Sequence, residues 1–199
     1  MATKLTEHFT VEELTASPTA KAKGIANTPT PDHLANMKYC CEKILEPVRA
    51  HFGKPVQINS SYRCPALNAA VGGSKTSQHV NGQAIDFEIP GVSNKVLADW
   101  ISENLEYDQV ILEFYVEGDK NSGWVHASIK KEGGNRKQKL IAKKNGSSTQ
   151  YLPTNDFDPT NEWKKFVAAG VAPSAPAAGK SLTETAEGMV NDLFAKVLK

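Results

Sequence analysis

Long hydrophobic runs are absent from this 199-residue chain. A membrane-spanning helix needs about 20 consecutive apolar residues, so a helical membrane protein is excluded. The stretch from Met1 to Thr10 has no continuous apolar core of the kind that marks a secretory signal. The expectation is synthesis in the cytoplasm, with another agent carrying the protein to any target outside it. An excess of one charge is missing too: 23 basic and 22 acidic side chains leave a formal net charge of +1. Nucleic acid is therefore not the expected partner, because its binding requires a basic footprint. Cysteine is scarce. Cys40, Cys41 and Cys64 are odd in number, and two are adjacent in a helical stretch, so neither a disulfide framework nor a cysteine zinc knuckle is implied. Small buried thiols in a reducing compartment fit better.

What is present is ordinary in bulk. Apolar residues at 40% and charged residues at 23% match a soluble globular protein, and the length allows one well-buried domain with an appendage but hardly a second domain. The chain divides into a domain over 1–146, an irregular segment with an Ala/Pro-rich linker over 147–180, and an amphipathic helix over 181–199. In that last piece Ser181 and Glu184 form a capping-box pattern, with Leu182, Ala186, Met189, Leu193 and Val197 on one face.

Within the domain, Thr30-Pro31 reads as a helix start, and Leu34, Met37, Cys41, Ile44, Leu45 and Val48 trace one face of a helix of about five turns. Gly53-Lys54-Pro55 ends it, and Val56 and Ile58 alternate as in a short strand. Ser60 to Gly82 is Ser-, Gly- and Asn-rich without periodicity, the kind of long irregular stretch that often carries function. Ala84 to Ile89, Gln109 to Val116 and Trp124 to Ile129 have the two-residue period of strands, with a helix over Ser93 to Leu105 and a fifth strand over Gln138 to Ala142. Gly146-Ser-Ser-Thr reads as a turn. The expected class is α+β, a small antiparallel sheet with a site on one face and helices on the other.

Side chains alternate across a strand, so each strand sorts into two faces. Ile85, Phe87 and Ile89, then Val110, Leu112, Phe114 and Val116, then Val125, Ala127 and Ile129 are the apolar sides. Opposite them stand Asp86 and Glu88, then Ile111, Glu113 and Tyr115, then Trp124, His126 and Ser128. Each polar residue alone reads as solvated surface. Together with His79 in the preceding loop, Asp86 and His126 supply the three protein ligands of a catalytic zinc site, with Glu113 to spare. His8, His33 and His51 have no such partners and read as structural or exposed.

Ser77-Gln-His79-Val-Asn-Gly82-Gln-Ala84-Ile-Asp86, followed by Trp124-Val-His126, resembles the Ser-x-His-x-x-Gly-x-Ala-x-Asp and Trp-x-His signatures of the zinc D-Ala-D-Ala carboxypeptidase and peptidoglycan endopeptidase family, whose fold hedgehog signalling domains share. Ser60-Ser-Tyr-Arg63-Cys-Pro65 and the stretch from Leu67 to Gly73 are similar to the segment before the metal loop in phage-encoded and bacterial members, so the resemblance runs from about Phe9 to Ala142. It implies Zn2+ held by His79, Asp86 and His126, and Glu113 as the catalytic acid/base. In other branches that acid lies three residues before the second His, where this chain has Gly123.

Arg63, whose planar fork matches a carboxylate, is a candidate substrate clamp. Ser77 is expected to support the loop or substrate, and Trp124 to wall the cleft. The expected partner is a peptidoglycan peptide, reached after holin release or from a virion, with the C-terminal helix serving attachment or self-association. The rival reading is a zinc-binding module without turnover, docked to an assembly through its tail. The basic residues from Lys130 to Lys144 read as a solvated hairpin.

Overall fold

The computed structural model describes residues 2–158 and Thr160. The expected linker and C-terminal helix over 171–199 lie outside the described residues.

The longest helical run forms for the reasons its sequence suggests. Thr30 caps α3 (Pro31–Cys40): its hydroxyl accepts from the His33 N–H while the His33 ring accepts from the Thr30 N–H, and Pro31 occupies the first turn. The run continues through a π-helical turn (Cys41–Leu45) into α4 (Glu46–Phe52). Pro47 accounts for the wide turn, since its ring has no N–H to donate and would strike the carbonyl four residues back in a regular α-helix. Gly53, at φ 61, closes the run with its N–H on the Arg49 carbonyl. Met37, Cys40, Cys41, Ile44, Leu45, Val48 and Phe52 lie on its inner side with no solvent exposure. Burial pushes the Cys40 thiol up to about 12, and the three cysteines are free, as small packing groups.

Short helices α1 (Val11–Thr15) and α2 (Pro18–Lys23) precede this run and α5 (Pro65–Ala70) follows it. All three are too short for a helical period to show in the sequence. The helix expected over Ser93 to Leu105 is α6 (Asn94–Asn104), burying Val96, Leu97, Trp100 and Ile101.

Six strands, β1 (Gln57–Ser60), β2 (Ala84–Glu88), β3 (Gln109–Glu113), β4 (Trp124–Ser128), β5 (Gln138–Asn145) and β6 (Ser148–Pro153), form one sheet in the order β1-β2-β4-β3-β5-β6. The class is α+β as expected. Four of the pairings are antiparallel, but β5 runs parallel to β3 because the chain crosses from β4 through 129–137 before re-entering. Buried Asp108 ties that crossover down. It accepts from the Arg136 backbone N–H at 2.9 Å and pairs with the Arg136 guanidinium and with Lys130 at 3.3 Å, while its own carbonyl accepts from Gln138 N–H at 3.0 Å.

The core lies between the helices and one face of the sheet, where Ile85, Phe87, Val110, Leu112, Val125 and Ala127 meet α3, α4 and α6. Two sequence expectations change here. The second strand stops at Glu113, not Val116: Phe114 takes φ 54, and its ring meets Trp124 at 5.2 Å instead of joining the core. Val116 is 60% exposed in the loop beyond. The turn at Gly146 is present, but Ser148–Pro153, expected to be irregular, returns as β6 along β5. Asn145-Gly146 is a strong hairpin signal in its own right.

The remaining histidines are structural, as expected. His8 pairs with Glu46 at 2.7 Å, His33 caps α3 and His51 stacks on Trp100 at 4.3 Å. The basic stretch is a paired surface, with Lys137 on Glu106 and Lys139 on Glu103.

Candidate metal centre

Asp86 and His126 face each other directly across β2 and β4, so their side chains rise from the same face of the sheet. His79 comes from the loop above them. That loop folds over the sheet as α5 and a 3-10 turn (Gln78–Asn81), which Gly82 ends at φ 68. Only glycine fits at 82, because a Cβ would sit 2.8 Å from the His33 carbonyl oxygen. The loop is pinned where it matters, the Arg63 N–H donating to the His79 carbonyl at 3.2 Å.

Three potential ligand atoms converge. His126 Nδ1 is 2.8 Å from Asp86 Oδ1, and His79 Nε2 is 3.2 Å from each of them. Tetrahedral ligands at zinc distances stand about 3.3 Å from one another, so the donor set and its spacing fit such an ion with little movement. His79 is 3%, Asp86 7% and His126 8% exposed, against the solvated surface each would be in isolation. The other ring nitrogen of His79 lies 2.7 Å from the Ser61 carbonyl, which fixes Nε2 as the inward atom.

Arg63 donates from Nη2 to the outer oxygen of Asp86 at 2.6 Å and from Nε to Ser60 at 2.8 Å. It therefore orients the carboxylate and leaves Oδ1 to the cluster. Burial works against the charged Asp86, but the two histidines overcome it and hold the carboxyl well below its usual range. Burial also lowers the His79 pKa in spite of Asp86 beside it. An ionised Asp and a neutral His are the forms a cation requires. Among the described residues, His79, Asp86 and His126 are the group of three with this geometry.

A family profile described as Peptidase M15 matches residues 7–128, well over half of the chain, and its span contains all three converging side chains. The chain belongs to the peptidase M15 family. No curated protein matches it. The M15 match joins the sequence signatures to the geometry: this is the metallopeptidase fold of the zinc peptidoglycan peptidases, with His79, Asp86 and His126 as its metal triad.

Glu113, the last residue of β3, pairs in register with Trp124 and lies one strand over and two residues along from His126. Burial, then the charge of Asp86, pushes its carboxyl up to about 7, although His126, Arg63 and the Trp124 indole N–H favour the ionised form. The Trp124 indole nitrogen is buried and has no full hydrogen-bond partner.

Gly123, where other branches carry their acid, has no room for one in this M15 chain. It sits at φ 65 with a Cβ position that falls on the Glu113 carbonyl oxygen. Buried Asn94 keeps it there, its amide donating to the Ser122 and Gly123 carbonyls at 3.1 Å each. Ser77, half-buried, precedes the 3-10 turn, with its carbonyl accepting from the Val80 N–H at 3.1 Å. Two features of the site are not visible in the sequence reading: the Arg63–Asp86 pair, which needs the loop folded, and Phe114, whose left-handed backbone moves it off the core face.

Proposed function

We propose that this M15 protein hydrolyses peptide bonds in the stems or cross-links of bacterial peptidoglycan, as an endopeptidase or a D,D-carboxypeptidase, in the setting of a phage endolysin or virion-associated lysis enzyme. The observation that carries the reading is a half-buried carboxyl with a raised pKa beside a metal triad. A metal-binding module has no need for such a group, whereas general acid/base catalysis works best with a pKa near the working pH.

The triad residues would hold Zn2+, which at such a site acidifies water and polarises a carbonyl. Glu113 takes the proton of the water attacking the scissile carbonyl and returns it to the leaving amine. Asp86, kept ionised and oriented by Arg63, fixes the geometry on one side. The guanidinium has five donors, and those of Arg63 not engaged by Asp86 and Ser60 serve a substrate carboxylate. Trp124 walls the cleft beside Glu113, and Ser77 supports the metal loop. Delivery by holin or virion and a docking role for 181–199 complete the proposal, motivated by the likeness of Ser60 to Gly73 to phage-encoded members and by the amphipathic pattern of 181–199.

The test is mass spectrometry of purified peptidoglycan digested by wild type and by Glu113→Ala, each with its metal content measured. Defined stem fragments from wild type alone, with metal retained in both, support the reading and name the bond. Metal-loaded wild type that releases nothing from several peptidoglycan chemotypes would leave the non-catalytic module instead.

A further inference from the structure

The family match ends at residue 128, but the sheet does not. The β5–β6 hairpin adds two strands on the Glu113 side, and its register brings one more side chain to the site. Trp124 pairs with Glu113, Glu113 with Ala142, and Ala142 with Tyr151. Residues directly opposite one another across a sheet share a face, so Trp124, Glu113, Ala142 and Tyr151 form one row on the metal-bearing side.

Two strand spacings put the Tyr151 backbone about 10 Å from that of Glu113. The residue between them is Ala142, whose methyl is fully covered by its neighbours, so of this row Trp124, Glu113 and Tyr151 are the side chains that reach solvent. Tyr151 is 51% exposed, although large aromatic rings usually bury more of their surface. The electrostatics agree with the register: burial, then the charges of Glu113 and Asp86, raises the phenol pKa, which keeps the hydroxyl protonated beside the site.

We propose that Tyr151 contacts the substrate, its half-exposed ring forming the cleft wall on the β6 side of Glu113, where it packs against the peptide next to the scissile bond. The hairpin outside the family match is thereby part of the cleft. The inference rests on the peptidase reading above and adds a specificity-determining residue to it. A tyrosine suits the role because it offers a large rigid contact area at little entropic cost.

The experiment measures steady-state cleavage of a purified muropeptide with an alanine-containing stem by wild type, Tyr151→Ala and Tyr151→Phe. Metal content and melting temperature are followed for each. Tyr151→Ala is expected to raise KM about tenfold, the order that loss of half a tyrosine's apolar contact gives. Its kcat should stay within about threefold of wild type, and Tyr151→Phe should restore KM. A KM for Tyr151→Ala within about twofold of wild type overturns the inference. So does a defect confined to kcat, or one that tracks a lower melting temperature or lost metal. If wild type cleaves no muropeptide the peptidase reading itself fails, an outcome distinct from active wild type with an indifferent Tyr151→Ala.

Discussion

Glu113 gathers three demands on one side chain. It must end a strand, face the metal triad and titrate near neutrality, and its pKa of about 7 follows from burial and from Asp86. Glu113→Gln should lower kcat by about 10²–10⁴-fold, the usual weight of a general acid/base, while metal stoichiometry by elemental analysis stays at the wild-type value. The sign of the pH effect follows. The base is the ionised form, so kcat/KM should fall as pH drops through the Glu113 pKa, and a cation in the triad favours ionisation, placing the acid limb at or below about 7. The same limb should vanish from the residual rate of Glu113→Gln. Gly123 is the second residue on which this depends. With φ 65 and a Cβ directed onto the Glu113 carbonyl, Gly123→Ala should destabilise by about 2 kcal/mol or more and displace Glu113. The readout is a lower urea midpoint and lost hydrolysis, with the metal still bound because His79 and Asp86 come from other segments and His126, in the middle of β4, is held by pairing with Asp86 on one side and Ile111 on the other.

At the scale of elements, the parallel β3–β5 pairing depends on how the chain returns through 129–137, and Asp108 fixes that return from a fully buried position. Burial disfavours its charge, but the hydrogen bonds from Arg136 and then Lys130 outweigh that and lower the pKa to about 2. A folded-state pKa below the unfolded value contributes stability above about pH 4 that is lost as pH falls toward 2. Asp108→Asn should therefore cost about 2 kcal/mol at pH 7 in denaturant melts, and the gap to wild type should close as the pH is lowered through that window. A gap that persists at the acid end would mean that Asp108 acts through packing, with charge secondary. The helical run shows a similar balance between local and tertiary forces. Pro47 opens a π turn in it, yet the inner face stays continuous because Cys41, Ile44 and Leu45 of that turn are all buried.

For the whole molecule, the three ligand side chains come from a loop and two strands and meet only when the sheet is complete, so a cation there bridges distant parts of the chain. Binding to the native state alone adds about 4 kcal/mol when the ion is present at a thousand times its Kd. Chelation should lower the melting temperature and abolish hydrolysis, and zinc should restore both. The stripped protein should stay folded, because the core between the helices and the other face of the sheet shares none of the triad residues. Removing residues 171–199 should leave metal binding and muropeptide cleavage unchanged and reduce only association with intact cell walls or virions, as a pull-down of the two forms would measure. None of the described helices is long and apolar enough to cross a membrane.

Local sequence is enough to specify the strands that carry Asp86 and His126, the cap and end of the long helical run, and the metal motif. All of these rest on local signals: a two-residue period, a capping residue, a glycine, a fixed spacing. The rest depends on contacts between segments far apart in the chain. The end of β3 at Glu113 depends on Gly123 pressed against it from another segment, and Phe114 changes sides for that reason. Arg63 reaches Asp86 because a 23-residue loop folds back over the sheet. Tyr151 joins the site through a register that runs from β4 to β6, and no periodicity along one strand encodes what a residue three strands away will face.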